Sequence, residues 1–159
     1  MIKEKELFDG KRIRFQNGEG INLAAAVEAI TDEADKNAIP LAHYEDQVKF
    51  GGLIGGSVED CVVFYHPDHK KDYINTVVRV SHQGKYAFLA VDHIGVSKMG
   101  GKVAVRDGRK EATRGESLSF KIGYGIASAV STIGASRSKL EQEQDWYAML
   151  DDVLEAITG

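Results

Sequence analysis

Two histidines stand three residues apart in the segment His66-Pro67-Asp68-His69, with Asp72 just beyond. Imidazoles and carboxylates at this spacing can offer ligands to zinc or iron. A metal centre needs three or four ligands, so others must come from elsewhere in the chain. His93, with Asp92 beside it, can complete the set if its strand lies near the one that ends at His66. The zinc signature His-Glu-x-x-His does not occur. The plainer reading of the segment is a solvated polar turn in which Pro67 breaks a strand. His66, His69 and His93 are thus the metal candidates of a minor reading, a metal-dependent enzyme.

Other groups offer weaker chemistry. Cys61 is the single cysteine, so no disulfide framework forms within the chain. A nucleophilic thiol needs a partnering base, and no spacing assigns one, so Cys61 reads as a small buried residue at a strand start. His82 flanks a turn opposite Lys85 and is expected in solvent. Gly51-Gly52 and Gly55-Gly56 could cradle a phosphate through backbone N–H groups, but no Lys-Ser or Lys-Thr follows Gly56. A bulged strand or turn is the simpler account. Gly123-Tyr124-Gly125-Ile126-Ala127-Ser128 has the opening of a dinucleotide loop without its context, because no βαβ unit surrounds it. No nucleotide cofactor and no tightly held catalytic metal are expected.

Charge is segregated late in the chain. Lys98, Lys102, Arg106, Arg109, Lys110 and Arg114 are opposed in their stretch only by Asp107 and Glu111. Glu141, Glu143, Asp145, Asp151, Asp152 and Glu155 follow with no basic residue among them. The six cations could bind an anion, a nucleic acid or an acidic protein. Their stretch lacks the aromatic residues on which single-stranded nucleic acid stacks, which disfavours nucleic acid. An acidic partner, including the C-terminal helix of a second copy, fits better and would give a salt-sensitive homodimer.

Whole-chain properties narrow the classes. At 159 residues the chain suits one domain spanning 1–159 with one core. A formal net charge of −4 creates no general attraction for nucleic acid or an anionic membrane. The first residues are charged, with no apolar run behind them, so no secretory signal is read. No stretch reaches the roughly 18 apolar residues of a membrane span. A reducing cytoplasm is the expected setting.

These side chains must be held by elements that periodicity can find. Residues 11–15 alternate as a short strand, with Ile13 and Phe15 on one side, before the turn Asn17-Gly18. A helix is predicted over 23–37, capped by Asn22, with Ile21 and Ala26 as a hydrophobic staple. Leu23, Val27, Ile30 and Ala34 form its stripe. Residues 48–54 read as a weak strand and 61–66 as a strong one. Strands over 73–82 and 85–93 are predicted to pair around a Gln83-Gly84 turn. That register sets Val80/Ala87, Val78/Leu89, Thr76/Val91 and Ile74/His93 on one face, and Arg79/Phe88 with Val77/Ala90 on the other. Residues 102–106 could add a strand, 107–116 a loop, and 117–136 a glycine-weakened helix. A last helix is predicted over 140–158, with Tyr147, Leu150, Val153, Leu154 and Ile157 inward and its acidic residues outward.

The expectation is therefore an α+β fold. It has an antiparallel sheet of about four to six strands, with an N-terminal helix and C-terminal helices packed on one face. With no assembled catalytic set, the leading functional reading is a non-catalytic binding or self-association module.

Overall fold

Each strand must bury one face and satisfy its backbone, and this chain does both by filling its sheet unequally on its two sides. The computed structural model describes residues 1–52, 54–97 and 137–159. Among the described residues six strands form one sheet: β1 Ile2–Lys3, β2 Phe8–Phe15, β3 Ala42–Phe50, β4 Ser57–Tyr65, β5 Asn75–Gln83 and β6 Tyr86–Ile94. Two α-helices among the described residues accompany it, α1 Leu23–Lys36 and α2 Arg137–Thr158. The spatial order is β1-β3-β4-β5-β6-β2. The expected strand at 102–106, loop at 107–116, helix over 117–136 and glycine loop at 123–128 lie outside the described residues.

The α+β expectation agrees with this arrangement, but the sheet is mixed rather than wholly antiparallel. β1 runs parallel to β3, with Ile2 opposite Val48, while the other neighbours are antiparallel. The chain crosses from one edge of the sheet to the other after β1 and returns through α1, which brings β3 beside β1 in the same sense. Two residues are too few to show a period, so β1 leaves no trace in the sequence pattern.

α1 forms where its cap and stripe place it. The Asn22 carboxamide oxygen accepts the Ala25 N–H at 2.8 Å, and Ala26, Ile30 and Ala34 are buried. The helix stops where Ala38 turns left-handed (φ 55°), two residues before Pro40. Side chains of both helices share one cluster with Val62, Phe64, Val78, Leu89 and Val91 of the sheet. Cys61, Val63, Val77, Val48 and Ile2 form a smaller cluster, on the other side by strand alternation.

The β5–β6 hairpin keeps the predicted faces but not the predicted partners. Val80 lies opposite Leu89, Val78 opposite Val91 and Thr76 opposite His93. The loop residues are Gly84 and Lys85, with Gly84 at φ 59°. A left-handed glycine at the first loop position follows the type II′ pattern that matches strand twist. Moving the turn by one residue shifts every partner by two, and a shift of two leaves each side chain on its own face.

Two other expectations need correction. β3 begins at Ala42 rather than 48: Ala42, Tyr44, Val48 and Phe50 do alternate with His43, Glu45, Gln47 and Lys49, but Asp46 interrupts the apolar set and obscures the period. The acidic residues of α2 do not all point outward, since Glu143 and Asp151 are buried. No helix among the described residues is long and apolar enough to cross a membrane.

Candidate functional site

The histidine segment is an aromatic clamp between the β4–β5 connection and α2. The His69 N–H donates to the His66 carbonyl at 3.0 Å, and the Tyr73 N–H donates to that of His69 at 3.1 Å. The His69 ring stacks on Tyr73 at 4.1 Å. The His66 ring meets His69 at 4.7 Å and Trp146 of α2 at 5.4 Å. His66 Nδ1 accepts the Asp68 N–H at 3.1 Å, which leaves the proton on Nε2 when the ring is neutral. Burial, then the neighbouring His69, pushes the His66 pKa down. His69 Nδ1 contacts the Asp72 carboxylate at 3.0 Å, the carboxylate–imidazole arrangement that frees Nε2 for a ligand. The two rings thus touch but are prepared differently for a metal.

His93 has other surroundings. It sits on the helix-facing side of β6, opposite Thr76, with its ring 5.8 Å from that of Phe8. Its Nδ1 is buried without a hydrogen-bond partner among the described residues. Burial pushes its pKa down to about 4, against the opposing effect of a hydrogen bond to the Phe8 backbone. The trio of possible ligand groups that lies within mutual reach among the described residues is Asp151, Asp152 and Glu155 on α2, with no histidine in it.

Sequence reasoning missed Glu143. Its carboxylate is wholly buried, with the Ser97 hydroxyl 2.9 Å from both oxygens. Tyr147 also bonds to it, while the Tyr147 hydroxyl accepts the Ile74 N–H at 2.8 Å. Burial pushes the Glu143 pKa up to about 7. Burial and then Glu143 raise the Tyr73 phenol to about 12. The missed signal was spacing. Glu143 lies three residues before Trp146 and four before Tyr147, on the same helical face.

A roomier concavity lies elsewhere. α1 leaves the outer part of the sheet uncovered, and an open groove of about 850 Å³ runs beside it over β3 and β4. Leu23, Val27 and Val62 give it an apolar wall, and Glu28, Asp32, Glu45, Asp46 and Asp60 make it acidic. No Lys or Arg lines it among the described residues. Its floor includes β3, next to the sheet's edge. β1 pairs only with Val48 and Lys49, so residues 42–46 present an unpaired backbone edge among the described residues. Asp46, on that edge, has the Met1 amine 3.4 Å away. Cys61 is buried beneath it, and burial, then Asp46, pushes the thiol up to about 11, away from a nucleophilic thiolate.

No family model, curated protein or solved structure matches the chain.

The remaining candidates take simple places. The Gly51 N–H donates to the Glu4 carboxylate at 3.2 Å, so an acid already occupies the glycine loop considered for phosphate. His82 is exposed as expected, yet its Nε2 lies 2.6 Å from the Ile21 carbonyl and ties down the approach to α1. Lys98, Lys102, Arg106, Arg109, Lys110 and Arg114 lie outside the described residues.

Proposed function

We propose that this chain is a binding module whose groove between α1 and β3–β4 receives a cationic, partly apolar partner. The observation that carries this reading is the groove's lining, in which five acidic residues surround an apolar wall with no Lys or Arg among the described lining residues. Its volume of about 850 Å³ falls in the range of ligand sites. Unlike charge speeds encounter and fixes orientation, while Leu23 and Val27 supply contact area.

A labelled peptide alternating Lys or Arg with Ile or Phe tests the reading by anisotropy. Saturable binding is expected, weakening as salt rises. Asp32→Lys/Glu45→Lys should cost roughly tenfold or more in affinity, about 1.4 kcal/mol. Equal binding by that variant, or equal binding of an acidic peptide, would refute the groove as the site.

A further inference from the structure

We propose that the cationic partner is a second copy of this chain, whose β2 adds to the free edge of β3 and extends the sheet head to tail. This rests on the reading of the groove as a site for a cation-bearing partner, and it names that partner.

Among the described residues each side of the sheet has a strand with open backbone. Among the described residues β2 pairs only with β6, and β3 is covered by β1 only at Val48 and Lys49. A β-bulge separates Phe8 from Lys11, so the regular part of β2 is 11–15. The free part of β3 is 42–46. Each is five residues long, or about 16 Å at strand rise. Paired edges would satisfy backbone groups that otherwise face water, the mode by which strands add to sheets.

The two edges carry opposite charge. Lys11, Arg12 and Arg14 are exposed on β2 with no acid between them, while Glu45 and Asp46 stand on β3 with no Lys or Arg in 42–46. Arg12 and Arg14 are held at their edge by the rings of Phe88 and Tyr86, at 5.1 and 5.8 Å.

The faces match as well. Four antiparallel steps separate β3 from β2, so the two strands run in the same sense. A copy displaced across the sheet therefore lays its β2 parallel to the first copy's β3, with helix-facing sides in common. Lys11, opposite Val91, and Glu45, opposite Val62, both fall on the helix-facing side. Arg12 and Arg14, opposite Ala90 and Phe88, fall on the other side with Asp46, opposite Cys61. Unlike charges meet on both sides of the new strand pair. Ile13 and Phe15, only partly buried in one copy, arrive on the side of the Leu23 and Val27 wall of the next.

A two-fold contact would do the reverse. β3 against β3 sets acids against acids, and β2 against β2 sets cations against cations, which is unfavourable across a strand pair. The charge pattern selects a heterologous contact, which closes into a ring or continues as a chain.

Sedimentation velocity of the full chain over a concentration series tests this. At low salt the sedimentation coefficient should rise with concentration past that of a dimer, and it should fall to the monomer value at high salt. Arg12→Glu/Arg14→Glu and Glu45→Lys/Asp46→Lys should each lose the rise while keeping their far-ultraviolet spectra. Mixing the two variants should restore it, because each then meets an edge of opposite sign. If a variant fails to fold, a synthetic peptide of residues 10–15 should cap the wild-type chain, abolish the rise and shift the amide resonances of 42–46. A wild-type monomer at every concentration, a dimer that survives both charge reversals, or a mixture that stays monomeric would overturn the inference. If the chain stays monomeric while the peptide still binds at 42–46, the groove reading survives without self-association. If neither occurs, both fall.

Discussion

Two buried groups, Glu143 and His93, give this protein opposed responses to pH. The Glu143 pKa stands near 7 in the fold against 4.5 for the free group, so the native state holds its proton more tightly than the unfolded chain does. Its contribution is full below about 4.5 and is lost as pH rises through 7. His93 stands near 4 against 6.5, so the native state resists its proton. Its contribution is full above about 6.5 and is lost as pH falls through 4. Each shift is worth roughly 3 kcal/mol, and the windows overlap, so the two trends largely cancel. Single substitutions should expose them in denaturant titrations. Glu143→Gln should match wild type near pH 4.5 and become more stable than it by roughly 3 kcal/mol above pH 7. His93→Gln should gain on wild type as pH falls below about 6. Parallel pH profiles for all three proteins would contradict both assignments. His93 was legible in the sequence because strand alternation put it with Leu89 and Val91. Glu143 was equally legible by spacing, but its charge argued for the surface. What allows its burial is a proton together with Ser97 and Tyr147, and no pattern along α2 announces those partners.

At the scale of elements, legibility follows how many residues repeat one instruction. α1 declares itself through the Asn22 cap and four stripe positions. The β5–β6 faces declare themselves through eight alternating residues on each strand, so an error of one residue in the turn did no harm to them. The partners depend on a single φ at Gly84 and could not be read. The outer half of β3 hid because Asp46 interrupts the alternation that Ala42, Tyr44, Val48 and Phe50 otherwise keep. The hairpin carries its own prediction. Leu89 is buried in the helix-side cluster, so Leu89→Ala should cost roughly 2–4 kcal/mol in urea unfolding. Gly84→Ala places a Cβ at φ 59° and should cost roughly 1–2 kcal/mol, although nothing lies within 4 Å of that Cβ. A Gly84→Ala variant as stable as wild type would show that the turn does not hold this geometry in solution. Gly18 is constrained differently. A Cβ there would come within 2.4 Å of the Ala87 backbone nitrogen, so it holds the loop after β2 against the hairpin by close approach.

At the scale of the whole molecule, layers were predictable and concavities were not. A sheet with one strongly apolar face and two amphipathic helices has few ways to bury its surface, which is why the α+β architecture could be read. The groove exists because α1 stops short of covering β3, a relation between elements that no local spacing encodes. The same logic makes α2 indispensable. Leu140, Trp146, Tyr147, Leu150 and Val153 are buried in the helix-side cluster. At about 1.5–3 kcal/mol for each such side chain, their burial contributes roughly 10 kcal/mol, as large as the net stability of a typical domain. α2 also closes two backbone accounts, since the Trp146 indole N–H donates to the Pro40 carbonyl at 2.9 Å and the Tyr147 hydroxyl accepts the Ile74 N–H at 2.8 Å. A chain ending at residue 136 should therefore lose its cooperative melt and bind a hydrophobic dye, while Trp146→Phe, which keeps a six-membered ring but removes the pyrrole ring with its N–H, should stay folded and lose roughly 2–3 kcal/mol from the hydrogen bond and the small cavity together. Calorimetry and dye fluorescence on the pair separate loss of the whole helix from loss at one side chain. A truncated chain that still melts sharply would mean that the sheet and α1 form a core without α2, which the shared cluster of the two helices argues against.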